Sequence, residues 1–234
     1  MKTLLKILGG LLGVAVFGLM GFIGWALYPH HEPRPIPDPL VALTSDEGAA
    51  RLTRATVKAD YPALADAFVP QRLASYCGVA SGVAVLGALG VDTNQWSFFT
   101  EEASRARPRF KVIFGGMSLP DLQGLLRGHR LEVAAHHADS FSADEFRGVI
   151  LRNLADPDDY LLVNYQREAL GQGRVGHISP VAAYDAASDS VLIMDTAAHK
   201  YPPTWVPVDM LHSAMNTTDT SSGKTRGYTE VAYP

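Results

Sequence analysis

The chain has 234 residues, a formal net charge of −4 and 47% hydrophobic residues. Charges of both signs are scattered beyond the first forty positions, which excludes the basic footprint of a nucleic-acid binder. A single cysteine excludes an intrachain disulfide and every multi-cysteine zinc or iron–sulfur pattern.

At the N-terminus, Lys2 and Lys6 precede Ile7 to Leu27, twenty-one residues without a charge. A helix of that length rises about 30 Å, enough to cross the hydrocarbon core of a bilayer. Lysines ahead of the run place the remainder outside the cytoplasm by the positive-inside tendency. Residues 1–28 are therefore read as a membrane anchor, with a cleaved signal peptide as the alternative. Five prolines between Pro29 and Pro39 predict an extended spacer, so residues 29–44 are assigned as a linker and 45–234 as one globular domain.

Within that domain, Ser45-Asp-Glu-Gly48 marks a helix start, with a short amphipathic helix expected over Ala49 to Tyr61. A helix opens at Cys77 and ends near Gly90. Ser118-Leu-Pro-Asp121 caps a third helix through Leu126, and Leu131 to Ala135 reads as a strand. Ser142-Ala-Asp-Glu145 has capping-box spacing and opens a helix to about Leu154. The period then changes to that of strands in Tyr160–Asn164, His177–Tyr184 and Ser190–Met194, with Asp185 to Asp189 as a hairpin loop. Pro207 to Met215 reads as helix and Gly227 to Tyr233 as a last strand. Helices followed by a mostly antiparallel sheet predict an α+β domain, with the cysteine-bearing helix packed on the sheet.

A lone cysteine is ordinarily a small buried hydrophobe. Cys77 differs in its surroundings: Gln71 lies six residues upstream, and Cys77-Gly78 opens a helix, the layout of a papain-like thiol site. Unpaired N–H groups and the dipole at a helix N-terminus favour thiolate over thiol. The Gln71 amide is placed to donate to a developing oxyanion beside the cysteine's own N–H. A thiol nucleophile needs a base, and the base needs an orienting group. Of eight histidines, His177 begins a strand beside Gly176, a residue that allows close backbone approach. Asp195 ends the next strand, so a hairpin would bring the two near one end of adjacent strands. Taken singly, His177 reads equally as a structural histidine and Asp195 as a loop cap.

Ser75-Tyr-Cys-Gly-Val-Ala-Ser81, Gly176-His-Ile-Ser-Pro-Val-Ala-Ala-Tyr184, Met194-Asp195 and Lys200-Tyr-Pro-Pro-Thr-Trp-Val-Pro207 together resemble phytochelatin synthase, in its short bacterial form. The likeness continues through Leu211-x-x-Ala-Met-Asn216 and Lys224-Thr-Arg-Gly227, and the Tyr-Pro-Pro-x-Trp-Val block is its most specific element. The resemblance implies a papain-like fold and an acyl enzyme formed on Cys77 from glutathione with loss of glycine. It assigns His177 as base and acid, Asp195 as orienter and Gln71 as oxyanion donor, and aligns Arg167 and Arg226 with substrate-contacting positions. A guanidinium suits glutathione, which carries two carboxylates.

The resemblance implies transfer of the γ-glutamylcysteinyl group either to a second glutathione or to water. No tightly bound cofactor is expected; cadmium or zinc would enter as a glutathione thiolate complex. The expected location is anchored to the bacterial inner membrane or periplasmic, with the membrane as a partner and homodimer formation left open. Two other readings compete: a membrane-linked papain-like peptidase acting on peptide leaders, and a non-catalytic thiol- or metal-binding domain.

Overall fold

The computed structural model describes residues 2–233, with side chains from residue 13 onward. The apolar N-terminal run forms helix α1 (Lys2–Leu27). The expected membrane-spanning anchor is not supported: among the described residues no helix is long and apolar enough to cross a membrane. Part of that expected span, residues 7–12, falls where side chains lie outside the description.

The proline-rich segment is not a free spacer. Glu32 N–H donates to His199 O at 2.9 Å and Arg34 N–H to Lys200 O at 3.0 Å. Leu40 is buried, and Ile36 packs beside it. Prolines remove donors, yet the intervening Glu32 and Arg34 keep theirs and pair edgewise, tying the segment to the body. It continues into β1 (Val41–Ala42) and α2 (Asp46–Arg54), where Ser45 caps the helix by accepting from Gly48 N–H at 3.0 Å. Helix α2 stops at Arg54, short of the expected Tyr61. A separate helix, α3, runs Tyr61–Asp66 with a proline in its first turn.

Next come α4 (Cys77–Ala88), α5 (Glu101–Ala106), α6 (Arg109–Gly115) and α7 (Leu119–Arg127). Every residue of α4 from Gly78 to Leu86 is buried. A helix buried on all sides needs small residues where neighbours approach: a Cβ at Gly82 would come within 2.7 Å of the Phe98 ring. The predicted capping box of Ser142 with Glu145 forms on α8 (Ala143–Asn153), and the predicted cap Ser118 forms one as well, with Asp121 on α7.

The sheet has seven strands. To β1 are added β2 (Glu132–His137), β3 (Asp159–Gln166), β4 (Gly176–Asp185), β5 (Ser190–Ile193) and β6 (Thr204–Pro207). After α9 (Val208–Met215) come a small ribbon, β7 (Thr218–Asp219) with β8 (Lys224–Thr225), and then β9 (Gly227–Ala232). The order is β1-β6-β5-β4-β3-β9-β2, and every pairing is antiparallel. The domain is thus α+β with an antiparallel sheet, as the succession of periods predicts.

Both sheet faces are covered, so the strands read as nearly continuous apolar runs. On β3, Tyr160 and Leu162 face the core shared with α4 and α7, while Leu161, Val163 and Tyr165 face α8 and α9. Strand β5 repeats the split, with Leu192 on the first face and Val191 and Ile193 on the second. Each such side chain contributes about 1.5–3 kcal/mol by leaving water. The Tyr-Pro-Pro-x-Trp block has a structural reason: Trp205 of β6 is fully buried, and its indole N–H donates to Gly48 O at 3.0 Å.

Candidate active site

The N-terminus of α4 points at the start of β4. Ser81, one turn into α4, lies between the carbonyls of Cys77 (2.8 Å) and Ile178 (3.0 Å), locking the helix to the strand. Hydrogen-bonded pairing of β4 with β5 carries the chain on to Asp195, through Met194 N–H donating to Pro180 O. Cys77, His177 and Asp195 therefore meet at one end of the sheet, as the hairpin argument requires.

His177 is buried and within hydrogen-bonding reach of the Cys77 thiol. Its Nε2 stands 2.9 Å from Asp195 Oδ1, close but off the line of a well-aligned N–H bond. Burial alone would favour a neutral thiol at Cys77. The hydrogen bond and charge of His177, with the N–H groups of Ile178 and Gly78, outweigh it and hold the thiol below its ordinary range. Burial and the nearby Arg167 both push His177 toward neutrality, yet Asp195 and Cys77 prevail and its pKa is raised. For Asp195, burial is overcome by Arg167 and His177, and its carboxyl is held well below the usual carboxylate range. All three shifts run the same way, favouring charge on the sulfur, the imidazole and the carboxyl.

Arg167 lines the cleft but is not aimed into it. Its Nη2 is 2.7 Å from both oxygens of Asp195, and Nη1 donates to Gln172 Oε1. The guanidinium lies 5.0 Å from the centre of the Tyr201 ring. So the arginine expected to contact substrate is engaged in holding Asp195 instead. The short 3₁₀ turn at Arg167–Leu170 after β3 folds it back toward the sheet, which an alignment of positions does not convey.

Gln71 also departs from expectation. It is anchored beside the site by its N–H, which donates to Thr196 O at 2.9 Å. Its side-chain nitrogen donates to Leu73 O (3.0 Å) and Ala74 O (2.9 Å), while Oε1 is buried without a partner. The amide thus sits in the cleft wall but its donors are occupied by backbone.

Arg226, the other arginine aligned with a substrate-contacting position, lines the cleft. It is buried in the wall, with Nη1 donating to Thr218 O at 2.8 Å and Nε left without a partner. Burial lowers its pKa, offset in part by the charge of Asp219. Gly176 makes room for it: a Cβ there would come within 2.8 Å of the guanidinium. Asn164, on β3, was not singled out from sequence. Its Nδ2 is buried and unpartnered on the cleft wall, and the signal was a polar residue ending an apolar strand run.

The cleft holds about 440 Å³ and is lined by Cys77, His177, Gln71, Asn164, Arg226, Asp219, Lys200 and the segment Phe114–Met117. That volume suits a tripeptide-sized ligand. Among the described residues no group of three His, Cys, Asp or Glu side chains is placed to hold a metal ion.

Comparison with known proteins gives a consistent picture. The family model of phytochelatin synthase matches residues 31–228. A glutathione gamma-glutamylcysteinyltransferase 1 from Lotus japonicus is 34% identical over 218 residues, covering 89% of this chain and 43% of that protein. The Arabidopsis thaliana protein of the same name is 30% identical, covering 89% of this chain and 44% of its own length. One from Schizosaccharomyces pombe is 26% identical over 83% of this chain and 49% of its own. The chain spans less than half the length of the curated relatives it matches. On this evidence the chain belongs to the phytochelatin synthase family.

Proposed function

We propose, from that membership and from the geometry of the cleft, that the chain transfers the γ-glutamylcysteinyl group of glutathione through a thioester on Cys77. The observation that carries the reading is the alignment of Cys77 at a helix N-terminus, His177 beside it and Asp195 behind, at the floor of a cleft with unpaired donors on Asn164 and Arg226.

In this reading the Cys77 thiolate attacks the carbonyl of the Cys–Gly amide. The carbonyl oxygen takes the negative charge, facing the Cys77 N–H and the Gln71 amide, which must turn from Leu73 and Ala74 to donate. The C–N bond breaks as His177 gives its proton to the departing glycine nitrogen, and the acyl group stays on sulfur as a thioester. His177, now neutral, accepts the proton of the incoming nucleophile, a glutathione amine or a water, and the thiolate leaves. Arg226 offers its free N–H to a substrate carboxylate, and Arg167 keeps Asp195 charged and placed. Metal belongs to the substrate here, carried as a glutathione thiolate complex of cadmium or zinc.

The same reading keeps α1 as a membrane anchor, holding the catalytic domain at the outer surface of an inner membrane. Support comes from the lysines before the run and from apolar side chains such as Phe17, Leu19 and Met20, each more than half exposed. The test of the reaction is glycine release from glutathione with and without cadmium. Leader-peptide cleavage without glutathione turnover would favour the peptidase reading instead.

A further inference from the structure

Helix α6 carries a face that the folded domain leaves uncovered. Phe110 and Phe114, one turn apart, are 61% and 72% exposed, and Trp96 beside them is 54% exposed. Arg109 joins them: its guanidinium lies 5.0 Å from the Trp96 ring centre and donates to the Trp96 carbonyl. Exposed aromatics of this size are uncommon unless a partner covers them.

The unpaired charge of α6 and the adjoining loop 71–75 is basic. Arg105 and Arg107 are paired, with Glu101 and Asp121. Arg72, Arg109 and Lys111 have no carboxylate partner among the described residues, and Arg72 and Lys111 are exposed.

The face also surrounds the end of α1. Ala74 N–H donates to Leu27 O, the last residue of that helix, at 2.9 Å. The adjacent Ser75 hydroxyl donates to Ile113 O on α6 at 2.8 Å. Arg72 N–H donates to the Gln95 side chain, next to Trp96, at 2.9 Å. Three hydrogen bonds thus connect an apolar helix end, a pair of exposed phenylalanines and an exposed tryptophan through one loop, 71–75.

We propose that this face, formed by α6 and Trp96, rests on the surface of an anionic lipid bilayer. Aromatic rings that enter the headgroup region, with lysine and arginine among them, are the composition that such an interface selects. A second copy of the chain fits less well, because a twofold contact would bring this unpaired basic charge onto a face of the same sign. The inference rests on the anchor reading of α1 and goes beyond it: it concerns how the catalytic domain itself sits. Phe114, Gly115 and Gly116 belong both to α6 or its end and to the cleft wall. The cleft mouth therefore opens at the lipid surface.

The test uses the full chain with Trp25→Phe, reconstituted in vesicles of phosphatidylcholine and phosphatidylglycerol with brominated acyl chains. Trp205 is fully buried, so quenching by bromine then reports Trp96. The expected result is that bromination quenches Trp96. Adding Phe110→Ser, Phe114→Ser and Lys111→Gln should abolish that quenching while the protein still floats with the vesicles. A chain that floats while Trp96 stays as open to aqueous acrylamide as it is without lipid overturns the proposal and leaves the anchor standing. A chain that does not float overturns both. Concentration-dependent shielding of Trp96 in detergent, without lipid, would assign the face to a second copy and refute the bilayer contact.

Discussion

Replacing Arg167 by methionine removes one half of a fully buried ion pair. Arg167 and Asp195 side chains are each 3% exposed, and both carboxylate oxygens lie 2.7 Å from the same guanidinium nitrogen. Methionine fills much of the volume but leaves Asp195 with His177 and the Ala197 N–H, which donates at 2.9 Å. Breaking a buried pair from one side costs about 3–5 kcal/mol, a large part of the roughly 5–15 kcal/mol that holds a domain folded. The sign with pH follows from the depressed Asp195 carboxyl. Its stabilising effect is present above the unfolded carboxyl value, about 3.9, and is lost as pH falls through the folded value. The variant's deficit should therefore be full at pH 7 and shrink below about pH 4, where Asp195 takes a proton in the variant first. Urea unfolding at several pH values measures this, with glycine release followed in parallel. Turnover should collapse, and Arg167→Lys should recover part of the stability but not the bond to Gln172 or the contact with the Tyr201 ring. A methionine variant within about 1 kcal/mol of the parent at pH 7, with unchanged turnover, would refute the positioning role.

Other expectations are independent of that pair. Asp60 is fully buried, both its oxygens are unpartnered, and burial, with the charges of Asp159 and Asp156, raises its pKa to about 8. A raised carboxyl makes the folded state hold the extra proton, so the parent should lose up to about 1.4 kcal/mol per pH unit between roughly pH 4 and 8. Asp60→Asn should flatten that slope in denaturant titrations, and an unchanged slope would contradict the assignment. Arg226→Gln should raise KM for glutathione by roughly 10–100-fold, the range of a lost charge-assisted hydrogen bond of about 1.5–3 kcal/mol, with kcat little moved. Initial rates against glutathione concentration read the split between KM and kcat. Ser142→Ala removes the cap of α8, on the sheet face away from Cys77; it should cost about 1 kcal/mol in urea unfolding and leave glycine release intact.

Elements with their own local signals were legible in the sequence. Ser118 with Asp121 and Ser142 with Glu145 announced their helices because capping chemistry is local. Strands β3, β4 and β5 showed as apolar runs because both sheet faces are covered. Strand β6 was not foreseen: Pro202 and Pro203 before it and Pro207 at its end argue against a strand, and only the burial of Trp205 against Gly48 explains it. Helices α5 and α6 are too short for a period to register, and Pro108 separates them. At the site, the meeting of Cys77, His177 and Asp195 followed from helix start, strand start and hairpin. The direction of the Arg167 and Gln71 side chains did not. Those depend on a 3₁₀ turn and on nearby backbone carbonyls, which are tertiary facts. The docking of Glu32 and Arg34 against residues 199 and 200 is of the same kind.

The claim on which the rest depends is that Cys77 carries the acyl group. Glutathione should be mixed with the full chain, quenched in acid within the first turnover, and digested for mass spectrometry alongside measurement of released glycine. The account predicts a γ-glutamylcysteinyl thioester on the Cys77 peptide, formed in step with glycine and absent from Cys77→Ala, which should release none. Glycine release that persists in Cys77→Ala, or turnover with no adduct at Cys77, would contradict it.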